Sequence, residues 1–207
     1  MKRYFFALLA ACSFATGAYA QTPAIETSTP DGLVKSITAD VIDTVKSDPS
    51  IQKGDINKIS ALVNQKILPY TDFERTTRLA MGRSWNTATP EQRAQVVEQF
   101  KLLLTRTYSG ALAQVRDQQI VYKPLRAAPD ATDVVVQSQV VGQGQPIQLD
   151  YRLSKTANGW RVYDLNVMGA WLVPAYQQQF AEQINQHGVD GLIQFLTQRN
   201  QQLAGGK

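Results

Sequence analysis

The chain has 207 residues, a net charge of +4 at pH 7 and hydrophobic residues at 43% of its positions. A chain of this length buries about 70% of the surface that it exposes when unfolded, which is enough for a core with a cavity beside it. The positive charge is not gathered into a basic block, and no RNA- or DNA-binding motif is present, so nucleic acid is excluded as a partner. Charged or amide residues interrupt every apolar run after the N-terminal leader, and a bilayer span needs about 20 apolar residues.

Residues 1–20 have the three parts of a secretory signal peptide. Lys2 and Arg3 form its basic end, residues 4–14 form its apolar centre, and an Ala-Tyr-Ala cleavage site occupies residues 18–20. We expect the mature chain to start directly after this leader and to reside in the periplasm, if the cell has two membranes.

A competing interpretation starts from Leu9-Ala10-Ala11-Cys12, which has the form of a lipoprotein processing box. Processing there would leave a lipid on Cys12 and anchor the protein to a membrane. This interpretation is less favoured, because the leader before Cys12 would be unusually short and the Ala-Tyr-Ala site is strong. Cleavage after Ala20 would remove the chain's single cysteine, and with it any disulfide.

The first half of the sequence predicts helices. Residues 21–29, with Thr, Pro and Ser, predict a flexible leader to a single domain over residues 30–201, and residues 202–207 predict a disordered tail. Apolar residues at helical spacing predict four helices over residues 30–48, 55–69, 72–82 and 89–116. The last has the clearest start: Thr-Pro-Glu-Gln at 89–92 supplies an N-cap, a proline in the first helical position and a capping box.

The pattern then changes to strands, which are expected over residues 120–125, 133–141, 147–153 and 160–168. Apolar and polar residues alternate over 147–154, as in a half-buried strand, and Asn158-Gly159 predicts a hairpin turn. Helices return over residues 174–187 and 189–201, on either side of Gly188. The order along the chain is therefore helices, then a four-stranded antiparallel meander, then further helices. This order predicts the α+β class, with helices packed on a curved sheet.

Few residues suit catalysis. His187 precedes Gly188 at an expected helix end, where a cation interacts well with the helix dipole. No triad partners, metal-ligand cluster, Walker loop or dinucleotide fingerprint is present, so we expect no enzyme, no metal and no cofactor. Asp150 is expected to point to solvent beside Arg152, and Asp164 to have a structural or ligand-proximal role rather than a catalytic one.

Two segments carry an ordered set of residues that spans the domain. The first comprises residues 79–82 (LAMG), Trp85, 88–93 (ATPEQR), Phe100, Leu103, Tyr108 and Leu112. The second comprises residues 150–153 (DYRL), 159–164 (GWRVYD), Val167, Gly169, 171–173 (WLV), Tyr176, 179–180 (QF), Gly188 and 192–193 (LI). Together they resemble the MlaC family, also called the toluene-tolerance or Ttg2-type auxiliary protein family. Ala175-Tyr176-Gln177 departs from the Asn-Tyr-Arg that is usual in the family, and so lacks a charge there.

The resemblance implies an NTF2-like or cystatin-like fold with an apolar cavity between the sheet and the helices. It implies a monomeric periplasmic carrier that binds phospholipid as cargo, shuttles it between the two membranes and maintains outer-membrane lipid asymmetry. The implied partners are an outer-membrane lipoprotein complex and an inner-membrane ABC transporter with a lipid-binding ring.

Eleven apolar or aromatic residues are predicted to line this cavity and contact acyl chains. They are Leu79, Phe100, Leu104, Tyr108, Val136, Leu149, Tyr151, Leu153, Val162, Leu165 and Val167. The alternatives are an NTF2-like periplasmic enzyme or binder for a small apolar molecule, such as a hopanoid or steroid, and a structural adaptor without a cavity.

Overall fold

The computed structural model describes residues 25–142 and 144–205. The helices are α1 (Pro30–Ser47), α2 (Pro49–Gln52), α3 (Ile56–Leu62), α4 (Phe73–Met81), α5 (Ser84–Thr87), α6 (Pro90–Ala113) and α7 (Leu172–Gly205). The strands are β1 (Gln119–Tyr122), β2 (Asp133–Val136), β3 (Ser138–Val141), β4 (Ile147–Thr156), β5 (Gly159–Val167) and β6 (Ala170–Trp171). The predicted signal peptide, with Cys12, lies outside the described residues. Within the described ranges, no helix has the length and apolar content needed to cross a bilayer.

The predicted helix starts are confirmed by their caps. Thr29 precedes Pro30, and its hydroxyl accepts a hydrogen bond from the backbone N–H of Gly32 at 3.2 Å. At the start of α6, Thr89 accepts from the N–H of Gln92, and the Gln92 side chain accepts from the N–H of Thr89. These bonds satisfy backbone donors that the first turn of a helix leaves free.

The helix expected to continue to Pro69 leaves the α conformation after Leu62. A π-helical turn (Val63–Ile67) and a 3-10 turn (Leu68–Tyr70) follow α3. Pro69 explains the change, because proline has no N–H and its ring clashes with the carbonyl four residues earlier. A parallel bridge from Thr71 to Val162 then joins this segment to β5.

The two expected C-terminal helices appear as one element, α7, with a break at Gly188, where φ is 71°. The helix begins at Leu172, two residues before the predicted start, because the Asp164 carboxylate accepts a hydrogen bond from the backbone N–H of Val173 at 2.9 Å. The helix continues to Gly205, past the predicted domain boundary at residue 201.

The described part of the expected leader, residues 25–29, lies against the domain. The backbone N–H of Glu26 donates to the hydroxyl of Ser36 in α1 at 3.1 Å. The carbonyl of Thr27 accepts from the N–H of Trp160 at 3.5 Å, next to the β4–β5 turn.

The α+β class and the curved antiparallel sheet are confirmed. The sheet has six strands rather than four, partly because the expected strand over 133–141 divides into β2 and β3, which pair with β4 in one common register. At the division, the backbone N–H of Ser138 donates to the carboxylate of Asp150 at 3.1 Å. The other addition is β6, which folds back on β5 after a two-residue turn.

Two hydrophobic clusters lie at different places in the fold. The first, here called the sheet–helix cluster, lies between one face of the sheet and helices α1 to α3. Its buried members are Leu33, Val34, Ile37, Val41, Val45, Ile51, Ile59, Leu62, Val134, Val136, Tyr151, Leu153, Trp160 and Val162. The second, here called the helical cluster, joins α4, α5, α6 and α7. Its buried members are Ala80, Met81, Trp85, Ala88, Val96, Phe100, Leu103, Phe180, Leu192 and Leu196.

The opposite face of the sheet carries two buried carboxylates. The expectation that Asp150 points to solvent is wrong: it is 3% exposed, because it accepts hydrogen bonds from Ser138 N–H and from the side chain of Gln148. Asp164 is also buried and pairs with Arg152 at 3.0 Å. Burial raises the pKa of Asp164, and its bonds to the Val173 N–H and to Arg152 oppose that rise.

We expect Leu153→Ala to lower the free energy of unfolding by about 2 to 5 kcal/mol, because a fully buried leucine is replaced by a cavity. Val135→Ala is the matched control, since Val135 lies on an adjacent strand with an exposed side chain. We expect the control to change that free energy by about 0.5 kcal/mol or less. Urea unfolding followed by circular dichroism measures both. Equal losses would contradict the assignment of Leu153 to the core.

We expect Asp164→Ala to lower the free energy of unfolding by about 2 to 4 kcal/mol, because the substitution leaves Arg152 and the N–H of Val173 without their acceptor. Asp31→Ala is the control, since its carboxylate makes a solvent-accessible pair with Lys35. Such a surface pair contributes about 1 kcal/mol or less. Urea unfolding followed by circular dichroism measures both variants. If Asp164→Ala lowered the free energy of unfolding no more than Asp31→Ala, the buried bonds of Asp164 would contribute little to stability.

Candidate functional site

The eleven predicted lining residues do not form one surface. Seven lie on the sheet, in β2, β4 and β5, and point to the face that α1 to α3 cover. Of these, four are buried in the sheet–helix cluster, two are half-buried against it, and Val167 is half-buried at the end of β5. The buried four are Val136, Tyr151, Leu153 and Val162, and the half-buried three are Leu149, Leu165 and Val167.

The other four lie on helices, apart from the sheet face. Phe100 is buried in the helical cluster and Leu104 is partly buried against it. Tyr108 is half-buried on α6, and Leu79 is 36% exposed on α4. Six of the eleven therefore lie in or against the sheet–helix cluster and two in or against the helical cluster. The other three, Leu79, Tyr108 and Val167, belong to neither.

Aromatic rings fill the helical cluster around Phe100. Its ring centroid lies 4.8 Å from that of Tyr176 and 4.9 Å from that of Phe180, both in edge-to-face geometry. Phe73 adds a third ring at 5.6 Å. Edge-to-face pairs at these distances add to the stability from burial alone. This packing suits a permanent core better than a space that fills and empties.

The sheet–helix cluster has a broad margin of apolar residues that remain partly exposed. Leu149 and Leu165 belong to this margin, together with residues outside the predicted set. Those residues are Ile25, Val63, Ile67, Tyr70, Leu112, Ala113, Val115, Tyr122, Leu125 and Ala131. Helical spacing over residues 55–69 and 89–116 marks Val63, Ile67, Leu112 and Val115 as apolar positions of amphipathic helices. It does not show that they meet the same face of the sheet, because that depends on how the chain turns after residue 113.

Polar atoms are sparse inside this layer. The hydroxyl of Tyr151 is buried and has no hydrogen-bond partner among the described residues. Burial raises the pKa of this phenol further above its ordinary value, at which a tyrosine is already neutral at physiological pH. Nearby, the hydroxyls of Thr38 and Tyr122 share a hydrogen bond that ties α1 to β1. The Ser138 side chain opposes the rise in the pKa of Tyr151, so Ser138 lies close to this hydroxyl.

Two further polar contacts hold the π-helical turn and the segment after it. Lys66 donates to both carboxylate oxygens of Asp40 in α1, at 2.7 and 2.8 Å. The N–H of Asp72 donates to the carbonyl of Val162 at 2.8 Å. Across the rest of the layer, α1 and α3 cover the sheet through apolar side chains, and such contacts are non-directional. Apolar atoms of a ligand could replace them without leaving polar groups unpaired.

Two surface depressions lie elsewhere, on the helical part of the molecule. One has a volume of about 370 Å³ and is lined by residues that include Trp85, Arg93 and Val97. The other, of about 260 Å³, includes His187 and Phe195. Neither contains a predicted lining residue. Among residues 25–142 and 144–205, no three His, Cys, Asp or Glu side chains are grouped closely enough to hold a metal ion.

Comparison with known proteins finds relatives by sequence and a similar solved structure. The chain is 26% identical to the toluene tolerance protein ttg2D of Pseudomonas putida over 168 residues, which cover 80% of this chain and 78% of the relative. It is 23% identical to the intermembrane phospholipid transport system binding protein MlaC of Haemophilus influenzae over 174 residues, covering 82% and 81%. Among solved structures, it is similar to a phospholipid-binding protein from Ralstonia solanacearum in complex with a phospholipid.

The Ralstonia structure matches with a TM-score of 0.81 and 55% sequence identity, covering 83% of this chain and 96% of that one. The family model described as MlaC protein matches residues 35–198, from within α1 to near the end of α7. This match includes the helical cluster, every strand of the sheet and all buried members of the sheet–helix cluster except Leu33 and Val34, and on it we conclude that the chain belongs to the MlaC family.

Proposed function

We propose that this protein is a periplasmic carrier that binds the acyl chains of a phospholipid and shuttles the lipid between the outer and inner membranes. The observation that carries the proposal is the Ralstonia relative, which is 55% identical over nearly its whole length and is solved with a phospholipid. The Haemophilus relative is named for intermembrane phospholipid transport, and this supports the same proposal.

The acyl chains are proposed to enter the sheet–helix cluster rather than the helical cluster. The sheet–helix cluster joins the sheet to a helical layer through apolar contacts, and it has a margin of half-buried apolar residues and a buried phenol. The helical cluster is closed by aromatic rings. In this proposal Leu149, Leu165 and Val167 meet the cargo first, and deeper residues such as Leu153 are exposed to it as the helices move outward.

The energetics of hydrocarbon transfer explain why a carrier is needed. Burying one CH₂ group contributes about 0.8 kcal/mol, so one C16 chain contributes on the order of 12 kcal/mol. Two such chains approach the practical ceiling of non-covalent affinity, about 18 to 21 kcal/mol. A bilayer offers a similar gain, so transfer between bilayer and protein is nearly balanced, while escape through water is very slow. Cargo must therefore pass at a docked surface.

The cellular setting is part of the same proposal. The leader at residues 1–20 would direct the chain to the periplasm, where it would meet an outer-membrane lipoprotein complex and an inner-membrane ABC transporter with a lipid-binding ring. Shuttling between them would maintain outer-membrane lipid asymmetry. The protein itself would act as a non-catalytic monomer, since its proposed work is binding and release.

We expect protein purified gently from a Gram-negative periplasm to carry phospholipid at near one molecule per chain. Native mass spectrometry measures the bound mass, and lipid extraction identifies it. Protein stripped with detergent and refolded is the control for the apo mass. Bare protein after gentle purification would contradict the carrier proposal, and a compact polycyclic ligand would point to a binder of small apolar molecules instead.

We expect Leu149→Glu to fold but to carry at least about tenfold less bound phospholipid per protein, because burying a carboxylate beside hydrocarbon at the margin of the layer is unfavourable. Val121→Glu is the matched control: Val121 is 52% exposed, and its neighbour Tyr122 packs on the sheet–helix cluster, so Val121 points to the opposite face. Bound lipid per protein is measured by native mass spectrometry and folding by circular dichroism. Equal loading of the two folded variants would place the cargo elsewhere.

A further inference from the structure

The helical cover of the sheet–helix cluster, which comprises residues 30–70, is tied to the sheet at two places far apart. At one of them, directly after the cover ends, the N–H of Asp72 donates to the carbonyl of Val162 at 2.8 Å, beside a parallel bridge at the preceding residue. This contact uses the side of β5 that faces away from β4. At the other place, the hydroxyl of Thr38 in α1 shares a hydrogen bond with that of Tyr122 in β1. Strand β1 lies at the far end of the strand order, so the two ties hold opposite sides of the sheet.

One ion pair joins the two tied parts of the cover to each other. Lys66 lies within the π-helical turn and donates to both carboxylate oxygens of Asp40, in the middle of α1, at 2.7 and 2.8 Å. The two side chains are 28% and 22% exposed, so salt screens this pair less than it screens a surface pair. A continuous strap of polar bonds therefore runs from β5 through the π-helical turn, the ion pair and α1 to β1, across the apolar layer.

The ion pair differs in kind from the other links of this strap. The bond of Asp72 to Val162 joins two backbones, and the bond of Thr38 to Tyr122 joins two neutral hydroxyls. Each of these attaches the cover to the sheet, whereas the ion pair joins α1 to the π-helical turn inside the cover. Breaking the ion pair would therefore separate α1 from the turn while each part stays attached to its own side of the sheet.

Such a separation would lead into the proposed cargo layer. Val63 and Ile67, on either side of Lys66 in the π-helical turn, are half-buried and pack against the sheet–helix cluster. A π-helical turn is rare, and most examples lie at functional sites. The irregular backbone, the charged link and the apolar margin thus coincide at one place in the cover.

We propose that the ion pair of Asp40 and Lys66 is a clasp that controls how fast phospholipid enters and leaves the cargo layer. When the clasp is closed, α1 and the π-helical turn together shield the acyl chains from water. When it is open, a passage lies between them. The clasp rests on the proposed carrier function, and it adds to that function the element that regulates exchange. Because it can close over an empty layer as well as a loaded one, it acts on the rates of binding and release more than on the affinity.

The test compares variants by hydrogen–deuterium exchange with mass spectrometry and by release of a fluorescent phospholipid to an excess of stripped wild-type protein. Asp40→Asn and Lys66→Met each remove one charge with little change in size. We expect the amides of residues 63–70 to exchange about fivefold faster, and the lipid to leave faster by a similar factor, as expected from losing one partly exposed ion pair. Asp31→Asn is the matched control with wild-type rates, because it removes the pair of Asp31 with Lys35 on the same helix but outside the strap.

A charge-swapped protein supplies the rescue. Asp40→Lys combined with Lys66→Asp places opposite charges at the same two positions, so we expect it to recover most of the slow amide exchange and slow lipid release. A swapped protein that releases lipid as fast as the single variants overturns the clasp, because the pairing itself then has no effect.

The remaining outcomes separate the clasp from the carrier. Equal amide exchange in wild type and Asp40→Asn overturns the clasp, and so does faster amide exchange with an unchanged rate of lipid release. Single variants that fail to fold, or that lose protection equally in α6 and α7, also overturn it, because the pair then supports the whole fold. Wild-type protein that never loads phospholipid contradicts the carrier function instead, and amide exchange of the stripped protein still shows whether the pair holds the cover closed.

Discussion

The architecture depends on the alternation of side chains along β4 and β5. On one face these strands present Leu149, Tyr151, Leu153 and Val162 to the helices α1 to α3, and on the other they present buried polar groups such as Asp164. Because strand side chains alternate, the same two strands support an apolar layer on one side and a hydrogen-bonded attachment for α7 on the other. In the proposed carrier, the layer that takes the cargo would thereby be separated from the hydrogen-bonded framework that holds α7.

Much of this organisation could be predicted from the sequence, because caps and alternation are local signals. Thr29 and Thr89 begin helices where expected, and Gly188 breaks the last helix at the expected place. The orientation of Asp150 could not be predicted, because its partner Ser138 lies on another strand and the bond forms only once the register is set. The division of the predicted lining residues has the same origin, since periodicity finds an apolar face without showing what it packs against.

A carrier of hydrocarbon also has to be stable when empty. Helices that cover the sheet through apolar contacts meet this requirement, because the same surfaces bury one another in the absence of cargo. The aromatic packing around Phe100 and the bonds of Asp164 to β4 and α7 lie outside the proposed cargo layer. In the proposed carrier, binding would exchange one set of apolar contacts for another.

The π-helical turn over Val63–Ile67 has a consequence for the order of events within the molecule. The backbone bond of Leu68 to Val63 replaces the regular pattern of α3, and Val63 and Ile67 lie at the margin of the sheet–helix cluster. A segment with irregular bonding and partial exposure opens at a lower free energy than the packed interior, as native-state hydrogen exchange reveals in other proteins. In the proposed opening, however, the chain between α3 and α4 would part from α1 and the sheet only after the bonds of Lys66 to Asp40 and of Asp72 to Val162 break, so these bonds would set the free energy of opening there.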